Sequence, residues 1–210
     1  NMAPHNLGEV IDACCAFVDN PEIACEELLK YVKGPDFPTG GIIYGYEGVR
    51  EALLTGRGRV VMRARTEIEH TASGRECIVI TEIPYMVNKA EMIKKIADLI
   101  NEKKIEGISY INDESDRNGM RMVIELKRDA NPQVVLNRLF AQTQLQSSFA
   151  INMLALVENG TEPKTLNLRE ILQYYLAHQK EVITRRTRFE LNKTEERAHI
   201  VEGLVLALAN

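Results

Sequence analysis

The sequence lacks long hydrophobic runs and paired cysteines. Its longest apolar run covers residues 203–209, which is far short of the ~20 residues that a membrane-spanning helix requires. None of the four cysteines has the C-x-x-C spacing of a zinc or redox site, and the four histidines are scattered. The first residues show neither the basic nor the apolar segment of a secretory signal. We therefore expect a cytoplasmic protein with reduced thiols, no metal site and no membrane partner.

A strong excess of charge of one sign is also missing. The 210 residues include 26 basic and 30 acidic side chains, which gives a net charge of -4. This balance disfavours a wholly basic nucleic-acid-binding domain, but it leaves room for a local basic stripe on an acidic body. With 45% hydrophobic and 27% charged residues, the composition is that of a globular protein and excludes a collagen-like or disordered chain.

Two hydrophobic periodicities predict the secondary structure: helical spacing predicts helices, and alternation predicts strands. The predicted helices cover 7–18, 24–32, 46–55, 88–104 and a segment that begins at Asn131-Pro132. The predicted strands cover 42–44, 59–69, 76–83, 108–112, 120–127 and 148–157. Asn6, Asn88 and Asn131 are predicted N-caps. Residues 34–41 contain two Pro and three Gly and are expected to be irregular.

One hairpin is predicted in the middle of the chain. In residues 59–69, the side chains at even positions from 60 to 68 form a face to be buried, and the other face carries charge. Residues Thr71–Gly74 provide a turn, and 76–83 provide the returning strand. We therefore expect residues 59–83 to form a single antiparallel hairpin.

The last segment differs from the rest. Residues 168–209 contain no Pro and one Gly, and their apolar positions recur at helical spacing at both ends. This predicts one long helix, or two, at the start of a coiled coil that needs a partner helix. The predicted fold class is α+β, an antiparallel-rich sheet flanked by helices, followed by the long coiled-coil helix.

The strongest electrostatic feature is a group of four arginines without an acid between them, namely Arg57, Arg59, Arg63 and Arg65. We expect Arg57 and Arg59 to lie in a Gly-flanked loop, where guanidinium and backbone can both approach a phosphate. Arg63 and Arg65 are expected to share one strand face. One interpretation is contact with a phosphodiester backbone. The alternative is a solvated strand face whose arginines pair with Glu67, Glu69 or Glu76.

Other chemical motifs are weak. Residues 114–119 with Glu125 nearly match a calcium loop, but position 1 is Glu and the flanks are strands, which favours a β-connection that turns at Asn118-Gly119. No Ser-His-Asp or Cys-His signature is present, so the residues predict no catalytic site. Residues 185–188 include three arginines, and we interpret them as a solvated helix face.

Several longer strings are more specific than these patterns. In chain order they are Pro4-His-Asn-Leu7, Gly34-Pro-Asp-Phe-Pro-Thr-Gly40, Thr55-Gly-Arg-Gly-Arg59, Glu82-Ile-Pro-Tyr85 with Val87-Asn-Lys89, Asp113-Glu-Ser-Asp116 with Gly119-Met-Arg121, Thr143-Gln-Leu-Gln146 with Phe149, Arg185-Arg186, and Arg197-Ala-His-Ile200. These strings closely resemble the A-subunit family of bacterial DNA gyrase and topoisomerase IV, and the resemblance covers essentially the whole chain.

The resemblance implies an internal piece of a longer type IIA topoisomerase subunit. It implies a helical lead-in from the winged-helix side at 1–33, an α+β tower domain at 34–165, and the start of the coiled coil at 166–210. Such an enzyme cuts both strands of a duplex through phosphotyrosine links, passes a second duplex and reseals the break; gyrase uses ATP to introduce negative supercoils. The catalytic tyrosine follows an arginine and lies before residue 1 in the family. No tyrosine in this chain follows an arginine, so we assign no catalytic residue and expect the piece alone to be inactive.

The same resemblance implies where DNA is contacted. The chain is expected to support and bend the cut duplex without reading its sequence. Arg57 and Arg59 become a phosphate-contacting edge, together with Arg63 and Arg65. Two further expected contacts are Lys89, near a helix start, and Met2. Met2 takes the place of the family's isoleucine wedge in the minor groove.

Partners and cofactors follow from the resemblance as well. The expected partners are double-stranded DNA, the gyrase B subunit, plus a second copy of the A subunit in an A2B2 complex associated with the chromosome. The B subunit holds Mg2+ and ATP, so no cofactor is expected in this chain. Two alternatives stay open: a topoisomerase IV A subunit, or a non-enzymatic DNA-binding architectural module with the same fold.

Overall fold

A computed structural model describes residues 1–71, 74–158 and 160–209. The protein is 45% helical and 25% strand, and the predicted α+β class is confirmed. The helices are α1 Leu7–Asp19, α2 Cys25–Leu28, α3 Glu47–Thr55, α4 Lys89–Asn101, α5 Pro132–Gln142 and α6 Leu168–Ala209. The strands are β1 Ile42–Ile43, β2 Arg57–Arg63, β3 Arg65–His70, β4 Glu76–Glu82, β5 Ile108–Asp113, β6 Met122–Leu126, β7 Gln146–Asn152, β8 Leu154–Val157 and β9 Glu162–Thr165.

Asparagine side chains begin three of the helices, as predicted. Asn6 accepts a hydrogen bond from the third N–H after it at the start of α1, and Asn88 does the same for α4. Asn131 accepts from two N–H groups of α5, whose first residue is Pro132. These caps satisfy backbone donors that have no partner within the first helical turn.

The described strands form three antiparallel sheets. A three-stranded sheet has the order β1-β2-β7, a four-stranded sheet has the order β3-β4-β6-β5, and β8 pairs with β9 alone. We call the first the arginine sheet, because β2 carries three of the four clustered arginines. The second is the central sheet.

The predicted hairpin over 59–83 is wrong in its first half. Strand β2 ends at Arg63 and belongs to the arginine sheet, whereas β3 begins at Arg65 and pairs with β4 in the central sheet. Ala64, between them, is buried, and its N–H donates to the carbonyl of Leu145. The alternating pattern runs through this crossing because Val60, Met62 and Ala64 are all buried. The alternation of buried and exposed side chains therefore continues while the chain passes from the arginine sheet to the central sheet.

The turn after β3 is partly described. The N–H of Gly74 donates to the carbonyl of Thr71 at 2.8 Å, which agrees with the predicted turn at its two ends. Residues 72 and 73 of that turn lie outside the described residues.

The predicted strand over 148–157 is two strands in different sheets. Between them, the N–H of Met153 donates to the carbonyl of Gly56, and the carbonyl of Met153 accepts from Leu166. Met153 is buried in the first position after β7, and these two bonds link the end of the arginine sheet to the segment that leads into α6. The chain after Met153 forms β8, which pairs with the unpredicted β9.

Two large hydrophobic clusters and a small third one, of Cys77, Val79 and Val123, form the core of the described residues. The first joins α1, α2, α3, the arginine sheet and the start of α6 through residues such as Phe17, Leu28, Leu53, Met62 and Leu172. The second joins the central sheet to α4 and α5 through residues such as Ile78, Ile80, Met92, Ile96 and Leu139. In the first cluster, the rings of Phe37, Tyr85 and Phe149 contact one another, with centroids 5.3 to 6.1 Å apart. The predicted boundaries at 33/34 and 165/166 stay predictions.

The C-terminal segment is a single helix of 42 residues. Arg169 fixes its start, since the guanidinium donates to the carbonyls of Ile23 and Pro21. Within α6, only Leu168 and Leu172 are buried, while Leu204 and Leu208 are exposed. The coiled coil stays a prediction. None of the helices in the described ranges, α6 included, combines the length and apolarity needed to cross a membrane.

Candidate nucleic-acid interface

One face of the arginine sheet is open, basic and free of acidic side chains. Successive strand residues point to opposite faces, so Arg57, Arg59 and Arg63 share the face opposite buried Val60 and Met62. Antiparallel register pairs these arginines with uncharged residues of β7, namely Asn152, Ala150 and Gln146. The strands β1, β2 and β7 contain no Asp or Glu. Such a face attracts an anion without competition from carboxylates on its own strands.

The expectation that Arg57 and Arg59 lie in a loop is wrong, because both are part of β2. Gly56 caps the end of α3, directly after Thr55. It adopts a left-handed conformation with φ 82°, and its N–H donates to the carbonyl of Ala52. A Cβ at Gly56 would meet Thr165 and Leu166, so glycine is required there. The strand therefore starts directly after the helix, and both arginines have fixed backbones.

The side chains of Arg57 and Arg59 are exposed, and neither has a hydrogen-bond or ion-pair partner in the described parts of the chain. The alternative interpretation paired the cluster with Glu67, Glu69 or Glu76. Glu69 instead binds Arg121, and Glu76 lies 3.9 Å from His70. The two arginines thus keep their donors for another molecule.

Arg63 differs from its neighbours on β2. Its guanidinium carbon lies 3.5 Å from the centroid of the Tyr44 ring and 4.7 Å from that of Phe140. Its Nε donates to Oε1 of Gln146 at 2.6 Å. The expectation that Arg63 and Arg65 share one strand face is wrong, because the chain changes sheets at Ala64 between them.

Arg65 forms a local ion pair. Its Nε lies 3.1 Å from Oε1 of Glu82, whose other oxygen accepts a hydrogen bond from the N–H of Gly41. The N–H of Gly41 and the guanidinium of Arg65 hold the pKa of Glu82 below its usual range. The charge of Arg65 is therefore neutralised by Glu82 of the same chain. Arg65 is for this reason a weaker candidate for DNA contact than Arg57 and Arg59.

Lys89 is the first residue of α4, as predicted, and it too has a partner. Its Nζ lies 2.6 Å from a carboxylate oxygen of Asp113, with about a third of each side chain exposed, 32% and 35%. Asp113 also accepts from the N–H and the hydroxyl of Ser115. The bonds from Lys89 and Ser115 lower the pKa of Asp113 to about 2. A phosphate would have to compete with this carboxylate for Lys89.

Met2 lies at the edge of a groove between β8 and α6, near Leu156 and Tyr174. Its side chain is 52% exposed, which suits an apolar residue available to another molecule. Nearby His5 is half-buried, and its Nδ1 lies 2.9 Å from the carbonyl oxygen of Ala3. Burial lowers the pKa of His5, which is consistent with a structural role.

Sequence reasoning missed the residues that surround the arginines. Tyr44, Phe140 and Gln146 all contact Arg63, and no local pattern marks them because they come from distant parts of the chain. The bidentate bond of Arg121 to Glu69, at 3.2 and 2.7 Å, was missed for the same reason.

The residues of the rejected calcium loop form a β-connection, as predicted. Asp116 accepts from the N–H of Asn118 and pairs with Gly119 across the turn, while Glu114 lies 3.3 Å from Nε of Arg121. Their oxygens are thus engaged within the turn. Across residues 1–71, 74–158 and 160–209, no three His, Cys, Asp or Glu side chains are grouped to hold a metal ion.

Comparison with known proteins identifies the family of this chain. The family model that describes the A subunit of DNA gyrase and topoisomerase IV matches residues 1–210. The chain is 57% identical to the DNA gyrase A subunit of Pseudomonas aeruginosa over 212 residues, which is 100% of this chain and 23% of that protein. It is 56% identical to the DNA gyrase A subunit of Escherichia coli over 211 residues, covering 100% of this chain and 24% of that protein.

A third relative, the DNA gyrase A subunit of Clostridium acetobutylicum, is 56% identical over 208 residues, covering 99% of this chain and 25% of that protein. These matches place the chain in a type II topoisomerase family. The chain belongs to the A-subunit family of DNA gyrase and topoisomerase IV, and the resemblance seen in its sequence is confirmed. It spans about a quarter of the length of the curated relatives that it matches.

Proposed function

We propose that this chain is part of the DNA breakage-reunion subunit of an ATP-dependent type II topoisomerase of the gyrase kind, where it supports and bends the cleaved duplex. The observation that carries this proposal is the family match over residues 1–210, with relatives named as the A subunit of DNA gyrase. The open basic face of the arginine sheet supports the DNA-binding part of the proposal.

Arg57 and Arg59 are the main DNA contacts in this account. They carry unpaired charge on a rigid strand, so they attract phosphate groups regardless of base sequence. Bending follows if the duplex is held against this face and an apolar side chain opens a base step. Exposed Met2 is suited to that role.

The chemistry of strand cleavage lies elsewhere in the longer subunit. No tyrosine of this chain follows an arginine, and the chain alone is proposed to cleave nothing. The working complex is proposed to combine two A subunits with two B subunits in the cytoplasm, on the chromosome. The B subunits supply the ATP and Mg2+ sites.

The decisive experiment uses the longer subunit that carries this chain, mixed with its B subunit, ATP, Mg2+ and relaxed plasmid. We expect negative supercoils, and we expect less activity from Arg57→Ala/Arg59→Ala. The control is Arg186→Ala/Arg188→Ala, which removes the same charge from exposed positions on α6. Decatenation and relaxation without supercoiling would identify a topoisomerase IV subunit instead. DNA binding without any change of linking number would support the architectural module and overturn the proposal.

A further inference from the structure

The guanidinium of Arg63 is held in place before any ligand arrives. It packs over the Tyr44 ring at 3.5 Å and the Phe140 ring at 4.7 Å, and its Nε is bonded to Gln146. Tyr44 directly follows β1, and Phe140 belongs to α5, which packs in the second hydrophobic cluster. The side chain is therefore held by residues from separate parts of the chain: exposed Tyr44 after β1, Phe140 of α5 and Gln146 of β7.

The terminal nitrogens of the same guanidinium are free. In the described chain, neither Nη atom of Arg63 has a hydrogen-bond partner, and neither is among the buried unpartnered atoms. Both therefore reach solvent. They belong to the face that also carries Arg57 and Arg59, because residues 57, 59 and 63 share one side of β2.

We propose that Arg63 is a preorganised phosphate-binding residue, which donates from its Nη atoms to one phosphate group of a DNA backbone and sets the orientation of the duplex on the arginine sheet. This inference rests on the proposed function and assigns different roles to the arginines of the basic face. Arg63 fixes geometry, whereas Arg57 and Arg59 mainly supply charge.

Three physical reasons support this division. Aromatic rings pack against the faces of a guanidinium and leave its donors in the plane free. The planar guanidinium of arginine matches the geometry of a phosphate with paired donors, whereas the ammonium of lysine acts as a point charge. A side chain that is already ordered loses little conformational entropy on binding. Arg57 and Arg59 have none of these supports, so lysine should serve nearly as well at their positions.

The test compares charge-conserving variants of this chain: Arg63→Lys, and Arg186→Lys/Arg188→Lys on exposed positions of α6 as the matched control. Dissociation constants for a duplex are measured across a salt series. We expect Arg63→Lys to weaken binding about tenfold, the loss of one charge-assisted hydrogen-bonded contact. We expect its slope of log K against log salt to stay unchanged, because the charge is kept. The lysine pair on α6 should bind within about twofold of wild type.

Two further measurements distinguish a purely structural role of Arg63 from a role in DNA binding. Thermal unfolding of each variant measures its stability. Tyr44→Leu removes the ring that packs on the Arg63 guanidinium and leaves the charge of Arg63 unchanged; Tyr44→Phe, which keeps the ring, is its control. We expect Tyr44→Leu to weaken DNA binding and Tyr44→Phe to leave it unchanged. In 15N NMR of the folded chain, the Arg63 Nε–H signal should shift when duplex is added.

The outcomes distinguish this inference from the proposed function. If Arg57→Ala/Arg59→Ala weakens binding while Arg63→Lys and Tyr44→Leu do not, the role of Arg63 is overturned and the basic face stands. If neither the alanine pair nor Arg63→Lys changes binding, the DNA-binding face itself is overturned. An unshifted Arg63 signal at saturating duplex also overturns the inference, even where Arg63→Lys unfolds.

Discussion

Gly58 of β2 lies directly against the backbone of Gly48 in α3, with no side chain between them. A Cβ at Gly58 would meet the carbonyl of Gly48 and lie 2.8 Å from Cβ of Ala52, and a Cβ at Gly48 would meet the carbonyl of Arg59. Two glycines thus bring the helix against the strand. This contact fixes the part of β2 from which Arg57 and Arg59 both project toward the opposite face.

The first prediction concerns this contact. Gly58→Ala should lower the free energy of unfolding by about 2–4 kcal/mol, because the new methyl group has no room between two backbones. Chemical denaturation at neutral pH measures the effect. Gly203→Ala is the control, since a Cβ there meets nothing within 4 Å, and it should raise helix stability by about 0.5–1 kcal/mol. Equal stability of the two variants would contradict the packing described for α3 and β2.

The second prediction concerns acid stability. Because the folded-state pKa of Asp113 is lowered to about 2 from 3.8, its carboxylate stabilises the fold above the unfolded pKa. That contribution is lost as the pH falls through the folded pKa. We expect Asp113→Asn to be less stable than wild type at pH 7 and to show a shallower loss of stability between about pH 4 and 2. Urea midpoints measured across this range check it.

The control for the acid series is Asp98→Asn. Asp98 is an exposed residue of α4 whose side chain forms no hydrogen bond or ion pair with the described residues. Its variant should follow the wild-type curve. If Asp113→Asn lost stability with falling pH as steeply as wild type, Lys89 and Ser115 would not hold this carboxylate in solution.

The third prediction concerns the long helix. The start of α6 is anchored by Leu172 and Arg169, whereas Leu204 is exposed. Leu172→Ala should therefore cost about 2–5 kcal/mol of unfolding free energy, and Leu204→Ala should cost less than about 0.5 kcal/mol. In hydrogen exchange at low protein concentration, amides near Leu172 should be protected, and those after residue 190 should exchange quickly. Strong protection of the last turns would show that α6 already has a partner helix.

Local signals in the sequence were sufficient for the helices. The caps at Asn6, Asn88 and Asn131 and the stop at Gly56 depend on residues within one turn, so the sequence shows them directly. The strand pairings depend on distant residues. The pairing of β2 with β7 joins Arg63 to Gln146, 83 residues further along the chain, and no local pattern predicts it.

The candidate site was predictable in residue type but not in geometry. Four arginines without an acid point to phosphate contact. Only the structure shows that Arg65 is paired with Glu82, that Arg63 is held by two rings, and that Arg57 and Arg59 have no side-chain partner among the described residues. The period of two continues across Ala64, so alternation alone assigns all four arginines to one strand.

The most direct test of the whole account is duplex-DNA binding by this chain across a salt series. Wild type is compared with Arg57→Ala/Arg59→Ala and with the α6 control Arg186→Ala/Arg188→Ala. We predict weak, sequence-independent binding, with the slope of log K against log salt smaller by about 2 in the first variant, since each phosphate contact contributes about 0.9. The control variant should keep the wild-type slope. Equal slopes for wild type and Arg57→Ala/Arg59→Ala would contradict the claim that this face binds the DNA backbone.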